Sequence, residues 1–570
     1  MFSSTPFQFL PPHVVRLIVN HVVGSCRQAF SGFEPNSNEW NTLLKPLLWT
    51  CRNFRAVVYL LYCSRYKLAI ANSKNYHRCL KKRARTSFNI GHRININLGY
   101  PTHHLAKTLD IEVDERSIYS GEALKMLLRG PYDGYSFPLV RRTVFLIFIN
   151  EKFPGNSDKV LVGKEVAERN ILDFVQHIKL MAPNAKDIWV RPPSDITSRV
   201  SSSPIYNSLV SKIFQLANRI QYSDTDMLFA RMELKLELGG ICNLVHIKFT
   251  AFHCDKNFMV LVQQNSITLE SLVVESWHGI YIPSIVWGED GDFVTYPCLH
   301  TLKLCGNPID LEKPQPVPTN VVPFPSLRHL KTRYEYSIGD DVVFRGNAAS
   351  LVSVDLHLSS LTIPDFRQFL VFTPTSHPKL RYVRIWNSTN LVPRVFATNL
   401  EAIKFAMGIG PTAPVRSIGG YQNGADVIPT LLQLDDLASI QVLALYNTAL
   451  ELWDVFALIK VLPMMSDLSF WSISLGPLPD GVTMSELPAY VISTYAPMGR
   501  RFRSWHIDSP TPGRFTGEVK CSLLLALACP NFTLVTVPHP MRKNFSEHLK
   551  SEIASDMFKP YAQRLRYFIY

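Results

Sequence analysis

The chain has 570 residues, 46% of them apolar and 18% charged, and a net charge of +13. That balance excludes a disordered chain, and the length exceeds what one globular core organises, so several domains or a repeat array is required. The positive excess favours an acidic partner or nucleic acid, or serves solubility, because lysine and arginine are spread along the whole chain.

Met1–Gln8 is not basic and precedes no cleavable apolar core, so no signal peptide is expected; no apolar run reaches membrane-span length. Leu10, Pro11 and Pro12 open a stripe of Val14, Val15, Ile18, Val19 and Val22, which is helical spacing with proline at a tolerated first position. A polar loop follows over 31–41. Leu43, Leu44, Leu47, Leu48, Cys51, Phe54, Val57 and Val58 form a second amphipathic segment, with Pro46 in its first turn or at a kink. A third short helix is expected around 59–66. Residues 1–71 therefore read as a small three-helix domain without a strand. Residues 72–100 read as a polar connector. Its basic cluster, Arg78, Lys81, Lys82, Arg83 and Arg85, is open to three readings: a nuclear-import signal, a contact to an acidic surface, or a solvated linker.

From residue 101 helix and strand signals alternate. Leu109, Ile111 and Val113 have strand spacing; Ser120 caps a short helix that Gly130-Pro131 stops; Val144–Ile149 is a strand; Glu165–Met181 is an amphipathic helix; Leu209–Ala217 is another. The helix at 165–181 leads through Pro183 to Ile188 and Val190.

That sequence of helix, proline and strand recurs. Pro297 precedes Leu299-x-x-Leu302-x-Leu304, and Pro325, Pro378, Pro463 and Pro530 introduce Leu327/Leu330/Thr332, Leu380/Val383/Ile385, Met465/Leu468/Phe470 and Phe532/Val535/Val537. Copies without proline begin at Leu244, Leu269, Leu351, Leu400, Ile440 and Phe502. The last two apolar positions of each copy stand two residues apart and fall on one face of a strand, with the residue between them on the other. Most copies lie at or near the leucine-rich-repeat period of about 20–29 residues, and the longer intervals between Ile403 and Leu443 and between Leu468 and Trp505 read as repeats with insertions. The asparagine that commonly follows such a repeat stands at Asn307 and is missing from most copies, so irregularity is expected. The fold class predicted for 101–570 is α/β, an irregular leucine-rich-repeat solenoid: a horseshoe with parallel strands on its concave side. The alternative is a non-repetitive α/β protein whose parallel strands look alike.

The N-terminal residues add a resemblance. Leu10-Pro11, the spaced aliphatics after it, and Leu47-Leu48-x-x-Cys51-Arg52-x-Phe54-Arg55 resemble an F-box, and the combination with the repeats resembles the F-box/leucine-rich-repeat family in a divergent, fungal style. The departures are His13 in place of an acidic residue, a longer interhelical loop, and Phe54 in place of the commoner tryptophan. The resemblance implies docking of the helical domain onto the Skp-type linker subunit of a cullin-RING ubiquitin ligase. Leu10, Pro11, Val14, Val15, Ile18, Leu47, Leu48 and Phe54 would carry that contact, unless they only pack the small domain on itself.

No motif for catalysis or a cofactor stands out. Gly-x-Ser-x-Gly, His-Glu-x-x-His and the kinase set are missing, and neither the acidic loop Glu289–Asp292 nor the glycine-rich 408–424 has a calcium or phosphate signature. The ten cysteines include no Cys-x-x-Cys and read as residues of a reduced compartment. No enzyme activity, cofactor or metal is expected. The informative positions are those that the repeat leaves outside: Lys248, Lys303, Lys331, Arg384 and Lys404, with the aromatics Trp386, Tyr446 and Trp471 on the same face. Basic residues beside aromatics point to a protein target with acidic and apolar parts, more than to nucleic acid; a merely solvated face is the alternative. The function expected is a substrate-recognition adaptor of an SCF-type ligase, cytoplasmic or nuclear. The competing expectation is a leucine-rich-repeat interaction scaffold with no ubiquitin link.

Overall fold

The computed structural model describes residues 65–70, 106–129, 134–148, 163–191, 204–223, 241–253, 256–278, 280, 282–288, 291–307, 317–318, 320–333, 340–357, 375–386, 402–406, 431–432, 437–507, 515–538 and 541–565. The F-box-like residues and the connector cluster lie outside them. The chain is a mixed α/β protein that divides into two compact units, Met1–His278 and Gly279–Tyr570, and within each unit the paired strands are parallel.

In the first unit the strands are β1 (Arg65–Ile70), β2 (Thr108–Asp114), β3 (Arg142–Phe148), β4 (Asp187–Arg191), β5 (Arg219–Ser223), β6 (His246–His253) and β7 (Ser271–His278). Each pairs in parallel with the next in chain order. β1 corrects the expected all-helical N-terminal domain at its end. Tyr66, Leu68 and Ile70 alternate, Leu68 and Ile70 are buried, and the segment pairs with β2 rather than ending a helix. Behind the strands lies the helix Lys164–Met181, which buries Ala167, Ile171, Phe174, Val175, Ile178 and Met181 at helical spacing. It packs against the helices Glu115–Tyr119 and Pro204–Phe214.

In the second unit the strands are β8 (Thr301–Asn307), β9 (His329–Arg333), β10 (Ser353–His357), β11 (Tyr382–Trp386), β12 (Ala402–Ala406), β13 (Val442–Glu451), β14 (Asp467–Ser474), β15 (Ser504–Ile507) and β16 (Leu534–Thr536), again parallel and in chain order. The central position of each repeat copy falls in one cross-strand row: Leu302, Leu330, Val354, Val383, Ile403, Leu443, Leu468, Trp505 and Val535. Leu302, Leu330, Val354, Val383, Leu443, Leu468, Trp505 and Val535 are buried. The sheet thus collects one hydrophobic layer, about 1.5–3 kcal/mol for each large side chain removed from water. The helix Leu452–Val461 packs on β13 and Phe515–Ala528 on β14; Phe515–Ala528 also packs against the helices Leu487–Tyr495 and Arg542–Ile553.

The prolines have a defined place. The Leu299 N–H donates to the Tyr296 carbonyl at 3.2 Å, and the same bond links Leu327 to Phe324, Leu380 to His377, Met465 to Leu462 and Phe532 to Cys529. Pro297, Pro325, Pro378, Pro463 and Pro530 each hold the second position of that turn, where a fixed φ is pre-set and no donor is needed. Two copies without proline use asparagine. Asn265, 1% exposed, accepts from the Leu244 N–H and donates to the Ile241 and Leu261 carbonyls, all at 2.8 Å. Thr268 donates to the Leu244 carbonyl at 2.9 Å. In Asn347-Ala-Ala-Ser350-Leu351 the asparagine donates to the Val343 carbonyl and Ser350 to the Leu327 carbonyl at 2.7 Å. Each bracket ties the start of one strand to the turn before the previous one. Where neither residue stands, Gly499 serves in another copy. Its φ is +55° and its carbonyl accepts from the Phe502 N–H at 2.9 Å.

A candidate interaction face

The residues between the apolar positions also form a row. Lys303, Lys331, Asp355, Arg384, Lys404, Ala444, Ser469, His506 and Thr536 are cross-strand partners in succession from β8 to β16. Apart from Lys404, each is flanked by buried residues that fix this placement: with Leu302 and Leu304 in the core, Lys303 must face outward. Neighbouring members of the row are separated by the strand spacing, about 4.8 Å.

Asp355 organises the basic half of the row. Its carboxylate Oδ2 is 3.0 Å from Lys331 Nζ and 3.9 Å from Arg384 Nη1, and the residue is 6% exposed. A carboxylate this buried needs such partners. Lys404 stands one strand beyond Arg384, with its ammonium 5.5 Å from the centre of the Tyr382 ring, a cation–π contact. Partial burial, followed by the charges of Arg384 and Lys331, holds Lys404 below the ordinary lysine range, while Asp355 pulls it the other way. Outer-face side chains on β8–β12 include no acid besides Asp355.

A second outer row lies two residues earlier on each strand. His329 Nδ1 is 2.8 Å from Ser353 Oγ; burial, then Arg328 and His300, lowers its pKa. On β14 Asp467 accepts from Ser466 at 2.5 Å and from Ser504. From β13 onward the main row has no lysine or arginine, and Ala444 within it is buried.

Of the residues singled out by pattern, the structure brings Lys303, Lys331, Arg384 and Lys404 together on the second unit. Lys248 lies in the first, half-exposed between Gln221 and Val273. Trp471 is half-exposed on β14. Trp386 and Tyr446 stand in β11 and β13, and their side chains lie outside those described. Leu10, Pro11, Val14, Val15, Ile18, Leu47, Leu48 and Phe54 lie outside the described residues altogether. Sequence reasoning passed over Tyr382 and His329. Both stand two residues before a middle position and so share its face, a signal present in the period-2 rule itself.

The outer face of the first unit differs. Arg142 and Asp187 are in register on β3 and β4 and form an ion pair of 2.7 Å. On β2 and β3 the outward residues Asp110, Glu112 and Val144 are buried. Among the described residues no group of three or more His, Cys, Asp or Glu side chains is placed to hold a metal, and no helix is long and apolar enough to cross a membrane. A scan of protein-family models returns no match for this chain, and a search of curated proteins returns none.

Proposed function

We propose that the chain is a substrate-recognition adaptor of an SCF-type ubiquitin ligase, working in the cytoplasm or nucleus. In this reading residues 101–570 are an irregular leucine-rich-repeat solenoid, and its outer strand face holds a protein target. The N-terminal F-box-like domain docks onto a Skp-type linker subunit through Leu10, Pro11, Val14, Val15, Ile18, Leu47, Leu48 and Phe54. The observation that carries the target-binding part is the row of Lys303, Lys331, Arg384 and Lys404 on parallel strands of one unit, with buried residues on either side of the first three. Such an arrangement presents a fixed array of side chains, which suits recognition of a partner surface. The link to the ligase rests on the F-box resemblance.

The test is co-purification of the full-length protein with a recombinant Skp-type linker subunit. Wild type should retain the subunit, and Leu10→Asp and Leu48→Asp should lose it by placing a carboxylate in an apolar contact. Failure of wild type to bind overturns the ligase reading and leaves a leucine-rich-repeat scaffold.

A further inference from the structure

We infer that a cavity beside β3 and β4 binds a small oxo- or hydroxy-carboxylate: a ligand with an anionic end, an apolar body and one further oxygen. The cavity lies within the first unit, on the helix side of its strands. The inference is therefore independent of the reading of the outer strand face.

The inward row of the first unit runs Leu109, Thr143, Ile188, Ile220, Ile247 and Leu272, cross-strand partners from β2 to β7. Each is at most 1% exposed, and all but Thr143 are aliphatic. Threonine has the shape of valine with a hydroxyl in place of one methyl group. The Oγ1 of Thr143 is buried and has no hydrogen-bond partner among the described residues. A buried hydroxyl without a partner is costly, and valine would fill the place without that cost. The fold by itself has no use for this oxygen.

Thr143 borders a cavity of about 220 Å³, the space of roughly seven waters. Ile178 of the helix Lys164–Met181, Ile188 of β4 and Leu216 give it apolar walls. Lys179, Lys186 and Asn218 complete the polar lining, and all three are exposed, so they stand at its mouth. Among the described residues none of these three side chains has a hydrogen bond or an ion pair. No acid, histidine or cysteine lines the cavity, so nothing there would hold a cation.

This lining selects the ligand. Two ammonium groups at the mouth hold an anion by charge-assisted hydrogen bonds, and the Asn218 amide can donate another. The walls behind them take a hydrocarbon body. Thr143 offers one hydroxyl beside those walls, which matches one oxygen on the ligand. Lys186 and Asn218 each stand two residues before the inward row, a step of about 6.5 Å along the strands. That step is comparable to the span of a five-carbon acid. Inorganic phosphate fits less well, because it has no body to cover the apolar walls and no atom to reach Thr143 from the mouth.

The experiment is a saturation-transfer NMR titration of the full-length protein with levulinate, a five-carbon oxo acid, and with pentanoate, which lacks the oxo group. Levulinate should bind saturably and about ten-fold more tightly than pentanoate. Inorganic phosphate at equal concentration should not displace it. Thr143→Val should leave pentanoate binding unchanged and bring levulinate down to the same level. The same variant should raise the melting temperature of the unliganded protein, because the unpartnered hydroxyl is gone. Lys186→Gln, at an exposed position, should weaken both acids about ten-fold with an unchanged circular dichroism spectrum. The inference is overturned by a lack of saturable binding, by equal binding of the two acids to wild type, or by displacement with phosphate. An oxo-acid preference retained in Thr143→Val, a lowered melting temperature in that variant, or indifference to Lys186→Gln overturns it as well.

Discussion

The outer faces of β2–β3 and of β8–β12 follow the same alternation and meet opposite fates. On β8–β12 the described outward side chains are half-buried or, at His329, exposed, and Asp355 is the buried one among them, between two cations. On β2–β3 Asp110, Glu112 and Val144 are all buried although the pattern points them away from the core. Strand periodicity decides which face a residue occupies; what lies over that face decides whether the residue is a contact or part of the interior.

Substitution at two valines of the first unit's outer row tests this most sharply. Val144 is 1% exposed and Val273 is half-exposed beside Lys248. Val144→Asp buries an unpaired carboxylate and should lower stability by about 3–5 kcal/mol in denaturant unfolding. Val273→Asp should cost about 1 kcal/mol or less, because it faces solvent and gains an opposite charge across the strands. Similar costs for both would abolish the distinction between covered and open face.

A smaller effect is expected at the brackets between repeats. Asn265→Ala leaves the Leu244 N–H and two carbonyls without their partner in a buried turn. The loss should be about 2–3 kcal/mol, read as a shift of the unfolding midpoint. Asn265→Asp should not rescue it, since a carboxylate cannot donate to the two carbonyls.

The smallest effect is in pH. His246, His329 and His377 are held below the ordinary histidine value of 6.5, in each case by burial first. For His246, Arg219, Lys248 and Arg142 add to burial and Asp187 opposes it. The folded state keeps these rings neutral while the unfolded chain protonates them below about 6.5, so the unfolded state binds more protons there. Stability should be full above that pH and fall as the pH drops from 6.5 towards 5. Thermal unfolding across that range should show a shallower fall in the variant carrying His329→Gln and His377→Gln. A melting temperature indifferent to pH in wild type would contradict the sign.

Much of the second unit is legible in the sequence, because its repeat copies carry apolar residues at the two inward positions and the prolines mark the turns. Lys303, Lys331, Arg384 and Lys404 follow from counting alone. The coverage of Asp110, Glu112 and Val144 does not, since alternation records only the direction of a side chain. Asn265 and Asn347 read as ordinary loop residues. Asn265 works through the Leu244 N–H and the Ile241 carbonyl, and beside Asn347 it is Ser350 that reaches the Leu327 carbonyl; the linear sequence gives no pointer to these partners, although Asn-x-x-Thr/Ser-Leu recurs. β1 is hard to read from sequence because Arg65–Ile70 comes directly after an amphipathic helical segment and its partner β2 begins only at Thr108. The register shift in β13, between Leu445 and Ala449, likewise has no single-residue signature.

One consequence follows from the way each strand is begun. The Arg328 N–H donates to the His300 carbonyl, Val352 to Arg328, Arg381 to Val352, Arg503 to Ser466 and Thr533 to Arg503. Each of these strands takes its alignment from an earlier one, so the outer row behaves like a line of type set against a common margin. A letter can be exchanged at a cost usually within about 0.5 kcal/mol, leaving its neighbours in place. Removing one residue between Leu327 and Leu330 would instead turn the remainder of that line inside out, sending Lys331 into the core and a leucine into the text.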